Sequence, residues 1–347
     1  MAEQLRINGE NIPPGSSVTL ELPLPELYTR TPMTMPVLVR RGKRAGPMLF
    51  VCAAVHGDEL NGVEIIRRLM RRRALSRIRG TIIAVPIVNV YGVIGRSRYL
   101  PDRRDLNRSF PGSSRGSLAA RLANLFMTEI VERCSHGIDL HTGAIHRENL
   151  PQVRGNLDDE ETLRLARLFG VPVLINAVLR DGSLREATAA RGIPMLLYEA
   201  GEALRFDELS IRAGVQGILN VMRGLDMLPP ARGRKRVSRE PFVARSSSWV
   251  RAPASGIFSG TVSLGAHVNK DEQLGTITEP VGDAESVIRA PLGGIVIGRS
   301  NLPLVLEGEA LFHIACFEDL REVAEQVEEF QTSHEAAIES GNEPSIV

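Results

Sequence analysis

Two histidines and a glutamate carry the most specific chemistry in this sequence. His56 and Glu59 stand three residues apart in Val55-His56-Gly57-Asp58-Glu59, a spacing that one turn of chain can wrap around a borderline metal such as Zn²⁺. A second histidine, His141, closes Gly137-Ile138-Asp139-Leu140-His141. Two imidazoles and one carboxylate leave a fourth position open for water, which is the ligand count of a catalytic zinc rather than a structural one. Asp58 and Asp139 are adjacent acids, either of which could orient an imidazole from behind or simply cap a turn. Between the two histidine motifs, Arg104-Asp105-Leu106-Asn107-Arg108 concentrates donors that suit an anionic substrate end, while Arg98 and Arg103 read as solvated surface charges. A further acid, Glu199, ends the apolar run Ile193-Pro194-Met195-Leu196-Leu197-Tyr198. Gly112-Ser113-Ser114-Arg115-Gly116 matches the G-x-S-x-G pattern of serine hydrolases, but no strand precedes it, so Ser114 lacks the sharp turn that exposes such a nucleophile.

The candidate ligands need elements that deliver them to one place. Met48-Leu49-Phe50-Val51-Cys52-Ala53-Ala54, the segment ending at His141 and the run ending at Glu199 are short and apolar, as buried parallel strands are. Ligands at their carboxyl ends gather on one edge of an α/β sheet. Between strands, residues 61–73 carry Val63, Ile66, Leu69 and Met70 at helical spacing, followed by the strand Thr81 to Val88, so the pattern is βαβ with helices on both faces. Residues 89–117 are a long loop rich in Arg, Asp, Asn, Gly and Pro, the kind that is usually functional. Helices are predicted from Ser117 to Cys134, from Asp159 to Phe169 and up to Leu225, with a polar segment reaching to about Asp158 and a strand at Val171 to Ile175. Residues up to Arg41 read as strands at the sheet edge.

The chain divides into an α/β domain (1–228), a linker (229–245) holding Arg232-Gly233-Arg234-Lys235-Arg236, an all-β domain (246–316) and an acidic helical tail (317–347). In the β part, Arg251-Ala252-Pro253-Ala254-Ser255-Gly256 recurs as Arg289-Ala290-Pro291-Leu292-Gly293-Gly294, which suggests two quasi-symmetric halves. The stretch from Leu264 to Gly275 resembles lipoyl and biotinyl carrier domains, but the hairpin 279–285 has no lysine to modify, so a barrel-sandwich hybrid used as structure is expected. With 347 residues, 43% hydrophobic and 24% charged content and a net charge of +1, the chain has ample core and no whole-protein electrostatic reason to bind nucleic acid or membrane. Three unpaired cysteines suit a reducing compartment, and no apolar stretch is long enough to span a bilayer, so a cytoplasmic location is expected. A homo-oligomer is compatible with this composition.

His56-Gly57-Asp58-Glu59, Arg104-Asp105-Leu106-Asn107-Arg108, Asp139-Leu140-His141-Thr142 and Glu199-Ala200-Gly201, in this order and followed by a β domain, resemble the succinylglutamate desuccinylase/aspartoacylase family, relatives of zinc carboxypeptidases. The likeness runs from about Thr34 to Ala315. It implies a zinc carboxypeptidase-like mixed sheet flanked by helices, Zn²⁺ held by His56, Glu59 and His141, and Glu199 as general base. Asn107 and Arg108 would bind a substrate carboxylate, Arg104 or Arg98 would polarise the scissile carbonyl, and Arg185 resembles a substrate-side position. The implied activity is hydrolysis of the amide of a small anionic N-acyl amino acid. A carboxypeptidase acting on short peptides and a non-catalytic binding protein are the alternatives.

Overall fold

The computed structural model describes residues 4–230, 240–282, 284–318 and 320–339. A 13-stranded sheet runs through the molecule. At its centre His136–His141 lies parallel to both Met48–Ala53 and Met195–Gly201, and Met48–Ala53 is parallel to Thr81–Val85. These strands are largely apolar up to their carboxyl ends because both their faces are covered. In Met48–Ala53, Leu49, Val51 and Ala53 join one cluster with the helices Asn61–Met70, Glu160–Phe169 and Glu208–Gly224, whereas Phe50 and Cys52 join a second cluster with the helix Leu118–Glu129. The helices start where side chains can cap them: Ser117, Asp159 and Asp207 each accept a first-turn N–H, as small polar residues at N-caps do.

Ser17–Leu24 forms the sheet edge and Met33–Arg41 the next strand in. Pro36 pairs only with Glu21 of the edge strand, because pairing with Thr81–Val85 begins at Leu38, so on that inner side its missing N–H breaks no ladder. The helix predicted for 61–73 stops at Met70 and gives way to a 3-10 turn over Arg73–Arg77, and Ile65 rather than half-exposed Val63 supplies its buried face.

The polar segment expected before Asp158 is instead a nine-residue strand, Arg147–Gly155, in mid-sheet. Its buried residues include Asn149 and Gln152, so its inward face does not read as apolar. This strand also carries the sheet beyond the α/β part, because it pairs antiparallel with Gly294–Ser300, which continues to Ala310–Cys316 and Ser246–Arg251. Leu150, Val173, Ile175, Ile295, Ile297 and Ala315 bury one cluster across that seam. Of the expected linker, residues 231–239 with the basic run lie outside the described residues, and Phe242–Ala244 is a short strand beside Val173–Ile175. The repeated motifs precede the strands Gly256–Gly260 and Gly294–Ser300. A four-stranded sheet containing Gly256–Gly260, Gln273–Thr278 and Glu285–Arg289 shares an apolar filling, Phe258, Ile277 and Ile288 with Val250, Val296 and Phe312, with the end of the large sheet. The last helix, Leu320–Glu339, seats Val323 and Val327 in the seam cluster. No helix among the described residues is long and apolar enough to cross a membrane.

Trp249 is the sole tryptophan and lies in Ser246–Arg251. Because the sheet is continuous across the seam, thermal unfolding followed by Trp249 fluorescence and by far-ultraviolet circular dichroism should coincide. Leu150→Ala should destabilise both signals together by about 2–5 kcal/mol. Two separated transitions, with the mutation moving one alone, would show that the seam is not cooperative.

Candidate metal centre

The parallel register brings the ligands together. His141 ends its strand directly beside Glu199, and Cys52 lies opposite Asp139 on the other side. After Ala53 the chain turns sharply: Ala54 has φ of 50°, a left-handed conformation that costs a non-glycine residue about 1 kcal/mol or more. The turn is held by Val88 and Asn89, whose N–H groups donate to the carbonyls of Ala53 and Ala54. Gly57 follows because a Cβ there would lie 2.0 Å from the backbone carbon of Gly92. The Glu59 N–H donates to the His56 carbonyl, closing a tight turn that brings the two side chains together.

Glu59 sits between the two imidazoles. Its Oε1 is 2.7 Å from His56 Nδ1 and its Oε2 is 2.8 Å from His141 Nδ1, and Oε2 also accepts the Thr142 N–H at 3.1 Å. Donor atoms of the three residues, all buried, lie within 4.8 Å of one another. Both rings are oriented alike: Nδ1 faces the cluster and Nε2 faces an outer carboxylate, Asp139 at 2.6 Å for His141 and Asp105 at 3.3 Å for His56. Outer carboxylates that fix imidazoles in this way are the usual support of a metal centre. Asp139 is thus one of the two acids foreseen for this part, and Cys52 Sγ donates to its other oxygen at 3.3 Å. Asp58 is not the other; its Oδ1 is buried without a partner.

The electrostatics are those of buried groups of opposing charge packed together. Burial works against every charge here, yet the two imidazoles hold the Glu59 carboxyl well below the usual carboxylate range. Burial lowers the pKa of His56, but Glu59 and Asp105 raise it above the ordinary value, and Asp139 and Glu59 outweigh burial to do the same for His141. Two nitrogens and a carboxylate oxygen converging in a dry cluster are a donor set that fits a borderline transition metal.

The other predicted residues fall into three groups. Arg98 reaches the cluster: its NH1 is 3.3 Å from His56 Nδ1 and 3.5 Å from Glu59 Oε1, and its NH2 donates to Asp105 at 3.0 Å. It is therefore not a solvated surface charge. Arg104, in contrast, is 63% exposed and its nearest acid is Asp102 at 3.9 Å. Asn107 is buried, and its Oδ1 accepts the Leu184 N–H at 2.9 Å, tying the donor loop to the helix Leu184–Ala189; exposed Arg108 donates to the Asn107 carbonyl. Arg185 donates to the carbonyls of Ala177 and Val178. Glu199 makes an ion pair, 2.6 Å, with Arg154 Nε, and Glu202 is taken by the N–H of His146 and the side chain of Asn301. Ser114 lies exposed in a turn. Asp105 and Arg154 are site neighbours with little sequence signal of their own: Asp105 lies inside Arg104-Asp105-Leu106-Asn107-Arg108, and Arg154 is marked only by its two-residue spacing from Gln152 around apolar Val153.

Fold and site together define an α/β protein with a His-Glu-His cluster at the carboxyl edge of parallel strands, backed by carboxylates and flanked by a fourth acid. The chain belongs to the succinylglutamate desuccinylase/aspartoacylase family, whose catalytic-domain model matches residues 45–225. It is 27% identical over 292 residues, 80% of this chain and 84% of the relative, to the N-alpha-acetyl-L-2,4-diaminobutyric acid deacetylase of Halomonas elongata. Among solved structures, a succinylglutamate desuccinylase/aspartoacylase from Rhodobacter sphaeroides has a TM-score of 0.77 at 26% identity, covering 87% of this chain and 95% of its own. The product-bound ectoine utilization protein EutE (DoeB) from Ruegeria pomeroyi shares the fold, with a TM-score of 0.77 at 23% identity and the same coverage.

Purified protein should hold close to one transition-metal ion per chain by elemental analysis, and His56→Ala should lose it. Because metal must displace protons from imidazoles whose pKa values are raised, affinity should drop as pH falls, with the loss beginning at a pH above the ordinary histidine value of about 6.5. The expected slope is about tenfold per pH unit for each imidazole that must lose a proton. A pH-independent affinity between pH 8 and pH 6, taken here as about the range that spans that value, would exclude these two histidines as the ligands.

Proposed function

We propose that the protein is a zinc-dependent deacylase that hydrolyses the amide bond of a small N-acylated amino acid. The observation that carries this reading is the register pairing of Glu199 with His141, which sets an acid beside the His56, Glu59 and His141 cluster without making it part of that cluster. The Halomonas relative, an N-alpha-acetyl-L-2,4-diaminobutyric acid deacetylase, supports the same class.

When bound, zinc supplies a Lewis acid that makes water a nucleophile near neutral pH and polarises an acyl oxygen. Glu199 accepts the proton of the attacking water as its oxygen bonds to the acyl carbon, and returns that proton to the amine nitrogen as the C–N bond breaks. Arg98 is the better of the two arginine candidates for stabilising the oxyanion, since it borders the cluster while Arg104 is mostly exposed. Asn107 and Arg108 hold the substrate carboxylate: the Asn107 carbonyl and Oδ1 are engaged, leaving its amide nitrogen and the exposed guanidinium for the anion. We assign the paired sheets after residue 246 to a barrel-sandwich hybrid without a carrier lysine, whose place is structural.

Screening zinc-loaded protein against N-acyl amino acids, with amine release as readout, tests the reaction. Glu199→Gln should keep its zinc and lower turnover by about 10²- to 10⁴-fold. Glu59→Gln should lose zinc itself, since a neutral amide is a poor ligand. Equal zinc loss in both variants would make Glu199 a ligand, and near-normal turnover in Glu199→Gln would remove it from the reaction. Chelation should abolish activity while Ser114→Ala leaves it unchanged.

A further inference from the structure

The amino-terminal edge of the central strands, at the opposite end of the sheet from the candidate metal centre, carries a face of unpaired cations. Two segments build it. Arg40-Arg41-Gly42-Lys43-Arg44-Ala45-Gly46-Pro47 leads into Met48–Ala53, and the stretch from Arg71 to Gly80, with its 3-10 turn over Arg73–Arg77, leads into Thr81–Val85. The Gly42 N–H donates to the Gly80 carbonyl, the Gly80 N–H to the Arg44 carbonyl, and Arg79 Nε to the Ala45 carbonyl. A Cβ at Gly42 would lie 2.0 Å from the Ile78 carbonyl oxygen, so the two segments are locked into one platform. Lys43, Arg44, Arg71, Arg73, Arg77 and Arg79 stand exposed on it, with no acidic partner among the described residues. The acids of the adjoining helices are engaged elsewhere: Glu64 by Arg67 and Arg68, and Glu208 by Arg68 and Arg212. Asp226 borders the face, next to Met227, whose carbonyl accepts the Arg79 N–H.

A chain with a net charge of +1 must hold the balancing acids in another place, and the last helix is one. Leu320–Glu339 turns Val323 and Val327 into the seam and Phe330 toward the main core. Its opposite side exposes Glu325, Glu328, Glu329 and Glu335, none with an acid-neutralising partner among the described residues, and no Lys or Arg occurs between Glu322 and Glu339. Glu325 stands three and four residues before Glu328 and Glu329, spacings at which like charges on a helix repel. Both faces therefore carry charge that the folded chain does not compensate.

We propose that the cationic face is an interface with a second copy of this chain, and that its occupant is the acidic side of that copy's Leu320–Glu339 helix. Charge complementarity decides the occupant. The cationic segments contain no aromatic residue and expose no large apolar side chain, so nothing on them stacks on a base or enters lipid, whereas arginine forks match carboxylates. Each copy holds one face of each sign, as an assembly of identical chains requires. The rigid platform leaves little backbone to be ordered on contact. This interface is independent of the deacylase reading.

Sedimentation velocity of the full chain tests the proposal. At about 0.1 M salt the protein should sediment as more than one chain and dissociate as salt approaches about 1 M, where the screening length has fallen from about 10 Å to about 3 Å. Arg71→Glu, Arg73→Glu and Arg77→Glu together should weaken the association constant about tenfold or more. Glu325→Lys, Glu328→Lys and Glu329→Lys together should do the same. Uniting both sets in one chain should restore assembly, as should mixing the two variants, because opposite charges then face each other again. Should either set prevent folding, judged by circular dichroism, Arg77→Glu, Glu329→Lys and their combination decide the matter in the same way. A single-chain mass at every salt and concentration, assembly indifferent to salt and to both sets, or no restoration on uniting them would overturn the proposal. So would binding of duplex DNA or of anionic vesicles that the arginine reversals abolish in a chain that does not self-associate, since the face would then belong to another partner.

Discussion

The carboxylate of Glu59, buried between His56 and His141, is the interaction on which the rest depends. A carboxylate removed from water costs several kcal/mol unless it is paired and hydrogen-bonded. Here the compensation comes from two imidazoles that are themselves buried and must in turn be held. Asp139 and Asp105 do this from outside, Cys52 and Arg98 steady those two acids, and the bend at Ala54 and Gly57 brings Glu59 to the centre. The alternation of acid and base from Cys52 through to Arg98 is a layered arrangement in which each charge is satisfied by the layer outside it. The three side chains of the candidate metal centre thus meet at the point where these opposing charges converge.

Such an arrangement needs rigid support, and the parallel strands provide it. Their two faces are filled by different helices, so none can slide without exposing apolar surface on one side or the other. The consequence for function is that the ligand-bearing strand ends are held by core packing, whereas the residues that would meet substrate, Arg98, Asn107 and Arg108, lie on the long loop and are tied down by a few polar contacts, such as that of Asn107 with Leu184. In the proposed deacylase reading, the reaction sits at strand ends and the substrate carboxylate is held by a tethered loop. Relatives carry the names of a deacetylase and a desuccinylase/aspartoacylase.

The sheet also joins parts that are far apart in the chain. Arg147–Gly155 pairs with Met195–Gly201 on one side and Gly294–Ser300 on the other, so the later strands are extensions of the sheet that holds the site. Through this strand His313 and Trp249 come within electrostatic reach of Arg154. His313 brings no counter-charge to Arg154, whose ionic partner is Glu199, so the surroundings of that pair are set partly by a residue more than a hundred positions downstream in the chain.

How much of this was legible in the sequence follows from the range of the forces involved. The parallel strands could be read because burial on both faces leaves unbroken apolar runs, and the helix starts because caps are local. His56, Glu59 and His141 could be read because ligands at strand ends converge whenever the strands are parallel neighbours, and the family motifs in order pointed to the same residues. The central strand Arg147–Gly155 was hidden by its own role: Asn149 and Gln152 are buried polar residues, Gln152 meeting the Ile297 carbonyl, and Arg154 meets Glu199, so the alternation that marks a strand was masked. Tertiary structure alone decided that Asp105 rather than Asp58 stands behind His56, that Arg98 rather than Arg104 borders the cluster, and that Arg154 meets Glu199. Each of those is a contact between side chains from separate segments, set by register and by how far a long side chain reaches, and neither quantity is written in local composition.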